Sequence, residues 1–371
     1  MKAVVIGGGG FMGLSLTKAL LKESYHVTVV DLFLGSFDSV VVDPTSYQFV
    51  QGSFLDTTIL NNVLQDADVV FHLAAVGMSG KDEKNKDLIQ KVNIDGVSLL
   101  LDQCIMHGVK RFIYASSCIT IFTGETLRNA SENDTRPEYD EIINYYGRSK
   151  AIAEAMISQR ATDNFKTCCL RFRGIYGPGE RNTTERVIKL IRSGLVVARC
   201  QKEDKIETQY TSIANCIQSF LISEKSLLKE NVANGQIYHI LDDEICGNYE
   251  FWAPLFLLFG SKLPTIRLPF CFVMWLLRNY EYMCHNFFNT HSFASCTEVN
   301  LMAVTNTFST EKAKRELGYN PSSSMMPEVV KYYRDRLSEE PREKSSFCGH
   351  IFFLIPVALT IIVYLFVSKC Q

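Results

Sequence analysis

A short apolar strand running straight into a glycine cluster sets the tightest limit on what this chain can fold into. Residues 2–6 read Lys-Ala-Val-Val-Ile, and Gly7-Gly8-Gly9-Gly10-Phe11-Met12-Gly13 follows at once. Gly7, Gly10 and Gly13 keep a GxxGxxG spacing, after which Leu14, Ala19, Leu20 and Leu21 continue an apolar helical pattern. Glycine is needed where backbone turns sharply and approaches a pyrophosphate, because a Cβ would stand in the way. The helix that opens there aims unpaired N–H groups and its positive dipole end at phosphate. Strand, glycine turn and helix together predict a dinucleotide cradle.

A second apolar strand, 26–30, leads into Asp31, 24 residues after Gly7. An acid at that place reads the ribose hydroxyls of NAD. The same carboxylate would repel the extra phosphate of NADP, and no Lys or Arg occurs between Lys22 and Lys81 to hold one. The expected cofactor is NAD.

Strand and helix signals then alternate. Helix is expected over 10–23, 56–65, 85–107 and 143–161, and strand over 26–31, 47–50, 68–72, 110–116 and 166–171. The near-continuous apolar runs at 27–30 and 69–71 are those of buried parallel strands. Such alternation predicts an α/β fold, a Rossmann-type doubly wound parallel sheet with its ligand at the carboxyl ends of the strands. The NAD-binding domain is placed at 1–180 and a smaller C-terminal substrate lobe at 181–337.

The chain has 371 residues, 47% of them hydrophobic, enough for one large core and an appended lobe. A net charge of −2 gives no reason to expect a nucleic-acid partner. Its twelve cysteines show no CxxC pair and no zinc-ligand spacing, so reduced thiols facing the cytosol and no metal are expected.

Residues 347–368 contain no acid, Lys or Arg. As a helix they would run roughly 33 Å, enough to cross a bilayer's hydrocarbon core. They follow a polar linker, 338–346, and Arg334, Arg336, Arg342 and Lys344 collect upstream. That pattern predicts a C-terminal transmembrane helix in a single-pass, tail-anchored protein with its folded body in the cytosol. The apolar stretch 251–277, broken by Gly260, Lys262, Pro264, Arg267 and Pro269, has no uninterrupted run long enough to span. Contact with lipid is the preferred reading of it, with a wall of the substrate pocket and ordinary core as the alternatives.

Tyr146-Gly-Arg-Ser-Lys150 sets a phenol and an amine four residues apart on an expected helix, facing the same way. Tyrosine, with an ordinary pKa near 10, is a poor base at neutral pH. An ammonium beside it stabilises phenolate and brings the phenol into range as a general acid/base. The pair follows a strand ending Tyr114-Ala-Ser-Ser117 by 29 residues.

With these motifs the chain resembles the extended short-chain dehydrogenases/reductases, and within them the 3β-hydroxysteroid dehydrogenase family, with family 42E the closest likeness. The matching stretches are Phe71-His-Leu-Ala-Ala75, Gly77-Met-Ser-Gly80, Ile175-Tyr-Gly-Pro-Gly179, Arg267-Leu-Pro269, Phe308-Ser309 and Glu316-Leu-Gly-Tyr319. The resemblance implies NAD-dependent oxidation of a 3β-hydroxysteroid or sterol-like alcohol. It makes Tyr146 the acid/base, Lys150 its partner and the holder of the nicotinamide ribose, and Ser117 (with Ser116 as fallback) the donor to the reacting oxygen. Asn93 becomes a supporting residue. The dinucleotide is expected against Gly7, Gly10, Phe11, Met12, Gly13 and Asp31, and further along against Ser53, Phe54, Leu73, Ala74, Ala75 and Lys150. The resemblance also implies an endoplasmic reticulum membrane and allows a homodimer. Two other readings remain: a nucleotide-sugar epimerase or dehydratase with the same Ser/Tyr/Lys set, and a membrane-attached NAD-binding protein without turnover.

Three departures from the family's pattern stand out, the first bearing on how adenine is held, against Ser53 hydroxyl or backbone, and the others on substrate. Gly52-Ser53 stands where the family often has Gly-Asp, Arg171-Phe172 where it has Arg-Pro, and Ser212-Ile-Ala-Asn215 where it has His-Val-Asp-Asn.

Overall fold

The structure is a computed structural model, described here for residues 1–35, 45–78, 80–194, 196–229, 231–286 and 295–339. Seven parallel strands form its central sheet: β1 (Lys2–Ile6), β2 (His26–Asp31), β3 (Tyr47–Gln51), β4 (Val69–His72), β5 (Arg111–Ser117), β6 (Lys166–Phe172) and β7 (Gln236–His239). Their order across the sheet is β7-β6-β5-β4-β1-β2-β3. The chain therefore winds outward one way from β1 and then reverses to β4, which opens a crevice between the carboxyl ends of β1 and β4.

Alternation along each strand feeds two cores. Val5, Val29, Phe71, Ile113 and Leu170 pack on one face with helices α1 (Phe11–Lys22) and α4 (Ile213–Lys229). Val4, Ile6, Val70, Phe112, Tyr114 and Cys169 face the other side, toward α2 (Gly96–Met106) and α3 (Tyr145–Gln159). Both faces are covered, and for that reason these strands show no polar alternation. Cys168 and Cys169 lie on opposite faces and cannot bridge, and the ten cysteines among the described residues are all free.

Residues 1–330 form one compact unit, and the described end of helix Met326–Glu339 belongs to a second. Helix α4 and strand β7, both from beyond residue 180, complete the sheet and its core. The long helix expected over 85–107 is three pieces: an α-turn Lys86–Gln90, a turn of π-helix Lys91–Asp95, and α2. The apolar 251–277 stretch folds as helices Asn248–Phe251 and Ala253–Leu258, a strand Ile266–Pro269, and the start of helix Phe270–Asn286. Among the described residues no helix is long and apolar enough to cross a membrane. The anchor expected at 347–368 and most of its linker lie outside the described residues.

Candidate active site

The glycine turn closes against the loop leaving β4. Gly7 takes φ +81°, and a Cβ there would meet the backbone nitrogen of Ala74 at 2.5 Å. Ile6 O accepts from both Leu73 N (2.8 Å) and Ala74 N (3.1 Å), pinning these two residues beside the turn, with Ala75 next in the chain. At Gly13 a Cβ would come within 2.4 Å of Gly8 Cα, so this glycine lets α1 lie flat on the turn. Gly10 differs: a Cβ there would meet only Gly7 O, at 3.9 Å. Gly10 is the exposed N-cap of α1 and offers no side-chain cap. The first N–H groups of α1 are left to an outside acceptor. Phe11 and Met12 pack their side chains on the sheet core, so their share in that cradle is backbone N–H.

Asp31 ends β2. One carboxylate oxygen accepts from Gly9 N (2.9 Å) and the other from Phe33 N (3.3 Å), which fixes the group at the crevice edge. Exposed Leu32 and Phe33 follow it, an apolar ledge that the sequence reading did not single out. Beside it, Gly52 N donates to Asp31 O at 2.9 Å, and the next residue, Ser53, uses its side-chain oxygen to accept from Leu55 N (3.2 Å). Phe54 is buried and sets its ring edge-on to His72 at 5.0 Å. It can offer a cofactor backbone only. Gly7, Gly10, Gly13 and Asp31 together make a cradle with the shape and donors that a dinucleotide requires.

Asn144 starts α3 by accepting from Gly147 N at 2.8 Å, which places Tyr146 in the first turn and Lys150 one turn on. A Cβ on Gly147 would stand 3.1 Å from Ile119 O. The glycine inside Tyr-Gly-Arg-Ser-Lys therefore lets α3 approach the turn Cys118–Ile121 that follows Ser117. Tyr146 packs with Ile119, Phe122 and Val304, and with Met78, Ile143 and Leu301 around them. Lys150 is buried, donates to Ala115 O at 2.7 Å and lies 5.9 Å from the Tyr146 ring centre. Burial pushes its pKa down to about 7, while the Glu154 carboxylate and Cys169 pull the other way. Burial pushes the Tyr146 hydroxyl above its ordinary value.

The two adjacent serines separate cleanly. Ser116 is buried and donates to Glu154 Oε1 at 2.6 Å. Ser117, half-buried at the strand end, accepts only weakly from Ile119 N at 3.4 Å. Its O–H is directed by no acceptor among the described residues, and Ser116 is spent. Asn93 lies in the π-turn, a feature no helical periodicity reveals. Its Oδ1 accepts from Val76 N (3.0 Å), and its Nδ2 donates to Val76 O (2.9 Å) and to Ser149 Oγ (3.0 Å). It ties the loop after β4 to the helix that carries Tyr146 and Lys150.

The three departures are structural. Arg171 joins Glu154 in a buried ion pair, and Phe172 packs on Phe220. Ser212 N and Asn215 Nδ2 both donate to Asp242, which also accepts from Tyr176 Oη.

The sequence profile of the 3-beta hydroxysteroid dehydrogenase/isomerase family matches residues 4–270. The chain belongs to that family. It is 37% identical to "3beta-hydroxysteroid dehydrogenase/Delta(5)-Delta(4) isomerase 1" of Caenorhabditis elegans, over 86% of this chain and 69% of the relative. It is 31% identical to human "Short-chain dehydrogenase/reductase family 42E member 1", over 96% of this chain and 94% of that one. Among solved structures it is similar to a UDP-glucuronic acid 4-epimerase of Bacillus cereus in complex with NAD, at TM-score 0.68 and 23% identity, covering 92% of this chain and all (100%) of that one. That last likeness shows the fold. As a family member the chain is an NAD-dependent oxidoreductase of the extended short-chain type.

Proposed function

We propose that this enzyme oxidises the 3β-hydroxyl of a steroid or sterol-like alcohol, working from the cytosolic face of the endoplasmic reticulum. The observation that carries the substrate class is the surround of Tyr146. Tyr146 packs on a small apolar cluster of Ile119, Phe122 and Val304, with Met78, Ile143 and Leu301 against the same cluster, surroundings that suit a hydrocarbon skeleton better than a sugar. The names of the relatives supply the position of the hydroxyl.

Bound in the cradle, NAD supplies the hydride acceptor and a positive charge. Tyr146 Oη takes the alcohol proton, and Ser117 holds the reacting oxygen by a hydrogen bond. The Lys150 ammonium supports the phenolate and hydrogen-bonds the nicotinamide ribose. Asn93 acts at one remove by holding the Val76 loop to α3. The apolar 347–368 segment anchors the chain, and the exposed side chains Leu257 and Trp275 of the 251–277 stretch touch lipid.

The test uses the full chain in nanodiscs with NAD and a panel of 3β-hydroxysteroids, sterols and UDP-sugars, followed by NADH fluorescence. Turnover of a steroid that falls by about 10²–10⁴ in Tyr146→Phe is expected for loss of an acid/base. Turnover of UDP-sugars alone would replace this reading with an epimerase. NAD binding with no turnover of any alcohol would make the protein a cofactor-binding one.

A further inference from the structure

Lys150 does not reach Tyr146 through open space. It leaves α3 and enters a closed site floored by β5, where Ala115 O accepts one of its N–H groups and the Tyr114 ring centre lies 4.3 Å from Nζ. Tyr114 is 1% exposed, and its hydroxyl has no hydrogen-bond partner among the described residues. A buried phenol with nothing to bond forgoes its hydroxyl's hydration, so packing of the ring must hold this side chain in place. The ring's other close neighbour is His72, stacked at 5.6 Å with the planes 25° apart.

We propose that Tyr114 is a positioning residue for Lys150, its ring serving as the seat that keeps the ammonium charged and in place at the end of β5. The proposal deepens the functional reading above, on which it rests for the use made of Lys150.

An aromatic face attracts a cation through its quadrupole, and the attraction grows when both are desolvated. That matters here because burial alone drives Lys150 toward its neutral form. The groups facing the amine come from every neighbouring element: Tyr146 and Glu154 from α3, Tyr114 and the Ala115 carbonyl from β5, Cys169 from β6 and His72 from β4. Glu154 is already engaged by Arg171 and Ser116, which divides its field. The Ala115 carbonyl accepts a hydrogen bond from either form of the amine. Of the two rings that face the amine, Tyr114 is the nearer, at 4.3 Å against 5.9 Å for Tyr146, and no other cation lies against it among the described residues. It also stands on the strand that presents Ser117, so the same element aligns the amine and the donor to the reacting oxygen.

The test reads Lys150 directly. The protein is labelled with [ε-13C]lysine and titrated by NMR without cofactor, the Lys150 signal being assigned by its loss in Lys150→Met. The midpoint is expected to stay at its wild-type position in Tyr114→Phe, which keeps the ring and deletes the idle hydroxyl. It is expected to fall by about one pH unit in Tyr114→Leu, the equivalent of a desolvated cation–ring contact. Should Tyr114→Leu fail to fold, fluorinated phenylalanines introduced at position 114 drain the ring face with little change in volume, and the midpoint should fall with each added fluorine. An unmoved midpoint across that series, or an equal shift in Tyr114→Phe and Tyr114→Leu, overturns the proposal. The alkaline limb of kcat/KM should follow the NMR midpoint in the same variants. If the midpoint moves while Tyr146→Phe leaves alcohol oxidation untouched, the seat stands and the assigned chemistry falls.

Discussion

Glu154 holds Arg171 with both carboxylate oxygens, taking Nε at 2.8 Å and Nη2 at 2.7 Å, in a site neither side chain shares with solvent. Ser116 donates to the same carboxylate at 2.6 Å and Arg136 approaches it at 3.2 Å. The cluster sits behind the active site, joining α3 to β5 and β6, so its geometry is inherited by Lys150 and Ser117. Removing one partner strands a buried charge, which costs far more than the pair itself contributes. Glu154→Gln is therefore expected to lose about 3–5 kcal/mol of stability in urea unfolding. Adding Arg171→Gln to it should cost less than the two single losses together. Strict additivity would mean that the two groups act independently.

Two glycines of the opening turn should part company when each is given a methyl group. A Cβ at Gly10 has 3.9 Å of room, whereas at Gly13 it would stand 2.4 Å from Gly8 Cα. Gly10→Ala should leave the melting temperature near wild type, an N-cap change of this kind costing a fraction of about 1 kcal/mol. NAD affinity should drop at least about tenfold, because the methyl occupies the approach to the pyrophosphate. Gly13→Ala should instead destabilise the fold by about 1–3 kcal/mol through overpacking. Calorimetry on both variants, with and without NAD, separates the two effects.

Much of this architecture was legible because it is written in short periods. The strands β1, β2, β4, β5 and β6 fall within a residue of their expected bounds, since a fully buried parallel strand is an apolar run with sharp ends. Strand β7 was not expected: Gln-Ile-Tyr-His carries no such run, and its place in the sheet is set by pairing with β6. The π-turn at Lys91–Asp95 inserts irregularity into a helix whose 3.6-residue pattern continues on either side, so Asn93 could be suspected but its grip on Val76 could not. Strand parity could have separated the serines beforehand. Ser116 shares a face with Tyr114 and turns toward α3, while Ser117 takes the opposite side at the strand's open end. Gly147 carried its meaning only once the turn at Cys118–Ile121 was seen pressed against it.

Asp31 has two tasks that one substitution can pull apart. Its carboxylate steadies Gly9 and Phe33 through their N–H groups, and its charge excludes a ribose phosphate. Asp31→Asn keeps an acceptor for the loop but removes the charge. The ratio of NADP to NAD dissociation constants should then fall by about tenfold or more, with the melting temperature nearly unchanged. Discrimination that survives the change, read by titration of both cofactors, would show that another group reads the ribose.

His72 ties stability to pH in a direction that can be worked out. Its ring is fully buried, has no hydrogen-bond partner among the described residues at either nitrogen, and burial with the nearby Lys150 charge holds its pKa down to about 3. In the unfolded chain the imidazole protonates near its ordinary 6.5. Between those values the unfolded state binds a proton that the folded state refuses, so folding weakens as pH falls from 6.5 toward 3. The contribution amounts to about 2 kcal/mol between pH 7 and pH 5. His72→Phe keeps a ring against Tyr114 and has nothing to titrate, so its urea-unfolding free energy should decline that much less over the same interval. Parallel declines in the wild type and the variant would mean that the imidazole meets solvent or a partner in the folded protein, and that acid lability originates elsewhere.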